Sequence, residues 1–224
     1  MPETTHETYD RDADRARLLE AALDHVAFDG WSETALRAAA EDTGIPLERA
    51  LNAFPGGAME LIAFHSETAD RAMLTALEGE SLSEMKVREK AALAIRLRLE
   101  ANFRNREAIR TALTALMMPQ NTALAARLLY KTVDAIWYAI GDRSTDFNFY
   151  TKRGLLAGVY TATVFYWLND KSEGCAATWH FLDRRIAEVM RVPQALGKIT
   201  QLTERLPFPR RPFRRGLRVA ARGH

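Results

Sequence analysis

Residues 142–172 read DRSTDFNFYTKRGLLAGVYTATVFYWLNDKS, and their reading decides the fold. No charged residue occurs between Arg153 and Asp170. A run of about 16 uncharged residues is short for a bilayer span and too long for an ordinary buried strand. Gly154, Gly158, Tyr160, Thr161, Thr163 and Tyr166 interrupt the apolar residues. The pattern predicts a central helix, buried nearly all round, with small residues where neighbours pack close or a ligand enters. Polar shoulders at 142–153 and 169–172 suggest a pocket wall in the interior and a recognition surface at the ends. A core helix with solvated caps fits the same pattern.

Working outward, helical spacing dominates. Arg15, Leu18, Leu19, Ala22, Leu23, Val26 and Ala27 predict a first helix ending near Phe28, before Asp29-Gly30. Ser32 is placed to cap a second helix with Ala35, Leu36, Ala39 and Ala40 inward. Thr43-Gly44 closes it, and Pro46 opens a short third helix to Phe54. Further helices are expected at 58–77, from Ser83 as cap to Phe103, from Asn105 or Arg106 to Pro119, at 121–140, and at 176–190. No convincing strand alternation appears, so the fold class is all-α. Five segments follow: an arm at 1–11 expected to be disordered, a head at 12–57, a helical domain at 58–192, an amphipathic helix at 193–208 and a basic tail at 209–224.

The 224 residues carry a formal net charge of only +2, but the distribution is uneven. Residues 12–58 hold nine acidic and four basic side chains, and residues 191–224 hold nine basic ones against Glu204. Cys175 is the only cysteine, which excludes an internal disulfide and a cysteine metal cluster and favours a reducing compartment. The acidic, polar first residues read as neither signal nor transit peptide, so a bacterial cytoplasmic protein or an already trimmed form is expected.

The three short helices make a helix-turn-helix head. Residues 30–62, GWSETALRAAAEDTGIPLERALNAFPGGAMELI, resemble the N-terminal domain of TetR-family repressors through Gly30, Thr34, Ala39, Gly44, Phe54 and Pro55. A transcriptional repressor with a hydrophobic effector is therefore the alternative reading. In the third helix only Arg49 and Asn52 could contact DNA, Glu48 opposes phosphate, and the head is acidic where a basic footprint is needed. No nucleic acid is expected as partner.

Catalysis finds no support. There is no His-Glu-x-x-His, no paired Glu-x-x-His set for a di-iron bundle, no phosphate-cradling loop and no Gly-x-Ser-x-Gly elbow. His65 and His180 read as surface or satisfied helix residues. Neither a metal nor a cofactor is expected.

The closer resemblance lies in the second half. Residues 142–172, followed by ATWHFLDRRIAEVM at 177–190, resemble the coenzyme Q biosynthesis protein nine family. So do HVAFDGWSETALRAAA at 25–40 and FPGGAMELIAFHSE at 54–67. That resemblance implies a TetR-like homodimer that binds isoprenoid or quinone lipids in place of a repressor's effector. It implies presentation of a ubiquinone intermediate to the di-iron demethoxyubiquinone hydroxylase, and attachment to membrane by a C-terminal amphipathic helix. It places the partner patch on Asp146, Asn148, Phe149, Tyr150 and Arg153. The location implied is peripheral on the inner membrane, or on the matrix side in a mitochondrial form.

The residues are compatible with this. A polyprenyl tail needs an apolar cavity with few polar contacts. Leu113, Leu116, Met117, Ile136, Leu155, Val159 and Phe165 are the candidate walls, beside small residues on the central helix. Aromatics beside an arginine in the 146–153 segment have the character of interface hot spots. In the tail, Leu196, Ile199, Leu202 and Leu206 share one side, with Arg210 and Arg211 following, which suits an anionic membrane surface. A helix packed on the protein or on a dimer mate suits the same residues.

Overall fold

The computed structural model describes residues 10–141 and 147–189, the side chains of 147–150 excepted. They form nine α-helices with short 3-10 turns and no strand among the described residues. The order is α1 (Arg11–Asp29), α2 (Glu33–Thr43), α3 (Leu47–Ala53), α4 (Gly57–Glu78), α5 (Val87–Ala101), α6 (Arg106–Leu116), α7 (Thr122–Ala139), α8 (Phe147–Asn169) and α9 (Ala176–Val189).

Local chemistry sets the boundaries. The Asp10 carboxylate accepts from the Asp12 and Ala13 N–H groups and starts α1 four residues earlier than the apolar pattern indicates. Ser32 Oγ accepts from Ala35 N–H at 3.2 Å, and Gly44 ends α2 in the left-handed conformation, both as expected. Ser83 does not cap α5. The helix starts at Val87, where the Glu89 carboxylate reaches back to the Lys86 N–H at 3.0 Å. A carboxylate three residues into a helix satisfies a free N–H there, which a serine four residues upstream cannot do.

Two apolar cores hold the helices. The first joins Leu18, Val26, Trp31, Leu36, Phe54 and Ile62 to Ala108 and Ala112 of α6 and Leu128 of α7. Trp31 Nε1 donates to the Ala108 carbonyl at 2.8 Å in a buried position, so the head shares its core with the body. The second gathers Met73, Ile95, Leu99, Val133, Ile136, Trp137, Trp167, Leu182 and Ile186. Trp167 is fully buried. The C-terminal carbonyls of α8 accept from α6: Arg106 Nη2 donates to Trp167 O, and Arg110 Nη2 donates to Leu168 O. Cations at a helix C-terminus satisfy its free carbonyls and its dipole.

The central helix departs from its expected burial. Leu156, Val159, Thr163 and Trp167 form its buried face, but Gly154, Gly158, Phe165, Tyr166 and Asn169 are exposed. A Cβ added at Gly154 or Gly158 meets nothing within 4 Å among the described residues. A low-charge sequence and a 3.6-residue period leave α8 one open face, which composition alone cannot reveal.

Candidate functional site

A cavity of about 310 Å³ lies between α4, α5, α6, α7 and α8. That is at the lower end of small-molecule sites. Ile62, His65 and Ser66 come from α4 and Arg98 from α5. Ile109, Ala112, Leu113 and Leu116 come from α6, with Met117 just beyond it. Ala125, Ala126, Leu128, Leu129 and Thr132 come from α7, and Tyr160, Thr161, Val164 and Phe165 from α8. Most of the wall is aliphatic, because each of these helices turns part of its apolar stripe towards the same space. Met117 is 70% exposed and Phe165 43%, whereas His65, Arg98 and Thr132 are buried, so the cavity runs from an aliphatic and aromatic mouth to a closed end.

The closed end is polar. Arg98 Nε donates to Asp70 Oδ1 at 2.7 Å and Nη1 to the Tyr160 hydroxyl at 2.6 Å. Its Nη2 donates to Ser66 Oγ at 3.1 Å and to the Ser66 carbonyl at 3.3 Å. Thr132 Oγ1 donates to Asp70 at 2.9 Å. Burial works to depress the Arg98 pKa, but Tyr160 and Asp70 outweigh it and hold the guanidinium charged. Burial and the Asp70 carboxylate together push the Tyr160 phenol above its ordinary value, against the opposing pull of Arg98. His65 is pulled down to about 4, first by burial and then by the Arg98 charge, with a hydrogen bond to Asn102 acting the other way. Its Nε2 is buried without a hydrogen-bond partner among the described residues, and its ring lies 5.4 Å from that of Trp31.

Of the seven candidate wall residues, Leu113, Leu116, Met117 and Phe165 line the cavity. Ile136 and Val159 belong to the second core, and Leu155 is half-buried away from the cavity. On α8 the wall is Tyr160, Thr161, Val164 and Phe165, and at about 100° per residue Val159 falls on the neighbouring face. His65, Ser66, Arg98, Thr132 and Tyr160 were not legible as a cluster, since they are scattered over four helices and no local spacing joins them. His65 is buried at the cavity and is not a surface residue, whereas His180 is exposed.

Arg153 is buried, and its Nε donates to Asp134 Oδ1 at 2.8 Å, which takes it off the exposed surface. Asn148, Phe149 and Tyr150 fall in the first turn of α8, their side chains outside the described residues, as is Asp146. Leu196, Ile199, Leu202, Leu206, Arg210 and Arg211 also lie outside the described residues. In the head, Nε and Nη2 of Arg49 donate to the buried Asp14 carboxylate, so α3 presents Leu47, Glu48 and Asn52 outward. Cys175 is buried in the second core. Among the described residues no cluster of three or more His, Cys, Asp or Glu is arranged to hold a metal ion, and no helix is long and apolar enough to cross a membrane.

The COQ9 family model matches residues 122–193, which include α7 and α8, two of the cavity's walls. The chain is also 33% identical over 196 residues to the ubiquinone biosynthesis protein COQ9, mitochondrial, of Drosophila melanogaster, covering 86% of this chain. This chain is a homologue of the COQ9 proteins. The Rattus norvegicus COQ9 protein is 33% identical over 198 residues, 85% of this chain. The chain spans 60% and 63% of the lengths of these two relatives. Among solved structures, a TetR transcriptional regulator from Nitrosomonas europaea matches with a TM-score of 0.66 at 21% identity, covering 80% of this chain and 99% of that one. The fold is therefore TetR-like, as the head's resemblance implied.

Proposed function

We propose that this chain is a lipid-binding accessory protein of ubiquinone biosynthesis that presents a polyprenyl quinone intermediate to the di-iron demethoxyubiquinone hydroxylase. The observation that carries the reading is the aliphatic cavity between α4 and α8 in a homologue of COQ9. An apolar chain leaving a bilayer for such a wall keeps its surface out of water, so transfer forfeits little hydrophobic free energy. The chain works as a homodimer and needs no cofactor of its own. Its basic tail, residues 193–224, docks on an anionic membrane surface. The hydroxylase is held by Asp146 together with Asn148, Phe149 and Tyr150 of the first turn of α8, while Arg153 fixes that turn by its pairing with Asp134.

Protein purified without detergent should release an isoprenoid or quinone precursor, near one per chain, on solvent extraction and mass spectrometry. Recovery of no lipid would sink the carrier reading. Tyr150→Ala should abolish capture of the hydroxylase while leaving the helical circular dichroism unchanged, and undiminished capture would place the contact elsewhere. Loss of residues 193–224 should reduce sedimentation with anionic vesicles, and unchanged sedimentation would remove the tail from membrane docking.

A further inference from the structure

At its mouth, the cavity adjoins the corner between α6 and α7. Residues 111–126, TALTALMMPQNTALAA, contain no charged side chain, although the corner is open to solvent. Met117 is 70% exposed and Met118 50%, with Pro119, Gln120 and Thr122 exposed beside them. Two adjacent exposed methionines leave contiguous apolar surface in water, and such surface marks an interaction site. The corner also satisfies much of its own backbone. Met117 N–H donates to the Leu113 carbonyl at 2.9 Å, Met118 N–H to the Ala115 carbonyl at 3.3 Å, and Asn121 N–H to the Met118 carbonyl at 2.9 Å. Asn121 Nδ2 adds a bond to the Ala115 carbonyl at 2.8 Å, and Thr122 Oγ1 one to the Pro119 carbonyl at 3.0 Å. Pro119 has no N–H to satisfy. Internal pairing of backbone groups is what a hydrocarbon medium demands and water does not.

We propose that the α6–α7 corner is a membrane-docking face, in which Met117 and Met118 enter the acyl boundary of a bilayer, Arg127 meets the lipid phosphates and the cavity mouth opens onto lipid. The proposal rests on the reading that the cavity takes a lipid, and names the surface through which that lipid enters. Charge returns at a depth that fits. Along the helix axes, Arg110 stands about 9 Å before the end of α6 and Arg127 about 8 Å after the start of α7. An apolar element resting on a bilayer sinks about 5–10 Å, to the boundary between head groups and acyl chains. Arg127 is exposed and makes no hydrogen bond or ion pair among the described residues, which leaves its charge for a phosphate. Met117 also lines the cavity, so one side chain belongs to both the docking face and the entrance. A lipid then passes from bilayer to cavity without exposing its chain to water. A protein partner fits less well, because residues 111–126 hold neither an aromatic nor an arginine to anchor such an interface.

The test is partition of the full chain into phosphatidylcholine vesicles containing phosphatidylglycerol. The double substitution Met117→Ser and Met118→Ser should weaken partition about tenfold or more, with the helical circular dichroism unchanged because both side chains are exposed. Arg127→Gln should weaken it about fivefold, and only while phosphatidylglycerol is present. Cys175 is buried, so Met118→Cys supplies a single accessible thiol for an environment-sensitive fluorophore. On vesicle addition its emission should move to shorter wavelength, whereas the same fluorophore on Glu84→Cys, beyond the C-terminus of α4, should not respond. Unchanged partition of the double variant, or a fluorophore at 118 that stays in water on vesicle-bound protein, would overturn the docking face. Shielding of that fluorophore by raised protein concentration without vesicles would assign the corner to a second copy and overturn it equally. These assays need no ligand in the cavity, so their failure is distinct from the failure to recover lipid that would sink the carrier reading.

Discussion

Three side chains show what single residues decide here. His65 is neutral in the folded chain down to about pH 4, whereas an unfolded histidine takes up its proton near 6.5. Because the folded pKa is the lower one, the unfolded state binds the extra proton, so this contribution to stability is complete above 6.5 and is lost as pH falls towards 4. The total is about 3 kcal/mol. Urea midpoints should therefore fall between neutral pH and about pH 4, and His65→Leu should flatten that part of the profile; an equally steep profile in the variant would assign the loss to other groups. The Arg98–Asp70 pair is buried, so Asp70→Asn should destabilise by about 3–5 kcal/mol, whereas replacing both partners by apolar residues should recover much of the loss. Arg49 shows how a residue's role changes with its partner: it is a plausible DNA contact in sequence, yet it is held by Asp14 across the head.

The helices α8 and α9 carry the next level. Their junction is organised by Asp170, which accepts from Ser172 N–H at 2.8 Å, Ser172 Oγ at 2.6 Å and Thr178 N–H at 2.8 Å. Slight burial works against it, but the Ser172 and Thr178 donors hold its carboxyl well below the usual carboxylate range. Asp170→Ala should remove the start of α9 and lower stability by about 1–2 kcal/mol in chemical denaturation. Gly158 lies in the middle of α8 with open space where a Cβ would stand. In an isolated chain Gly158→Ala should therefore stabilise by about 0.5–1 kcal/mol. A concentration-dependent loss of stability instead would show that a second copy covers this face. The sequence showed that the uncharged run at 154–169 is helical, since a run of that length has few other uses. It could not show the open face, because glycine, threonine and tyrosine fit a close contact, a cavity wall or solvent equally well.

At the scale of the molecule, the head and body are not independent. Trp31 and Ala108 are bonded across them, and α6 and α7 contribute to the head's core. Trp31→Phe keeps an aromatic ring but removes one donor from the Ala108 carbonyl, which still accepts from Thr111 Oγ1, so it should destabilise the fold by about 0.5–1.5 kcal/mol in a single cooperative urea transition. Separate head and body transitions would show that the two cores unfold independently. The acidic head, with α3 presenting Glu48 and Arg49 engaged, should give no salt-dependent shift of duplex DNA even at low ionic strength; a steep salt dependence would reopen the repressor reading.

Sequence by itself determined the helices, the helix-turn-helix order of the head and the similarity to the COQ9 proteins. The apolar period, Ser32, Gly44 and the string at 142–172 are local signals, and local signals survive without knowledge of what packs where. Only the tertiary structure decided the site. Four of the expected wall residues reach the cavity because they lie on helix faces that turn inward together, while Ile136 and Val159 share their hydrophobicity but not their direction. His65, Ser66, Arg98, Thr132 and Tyr160 meet only after α4, α5, α7 and α8 have packed. A cluster drawn from four helices has no spacing to read; its chemistry exists only once burial has removed water from between its members.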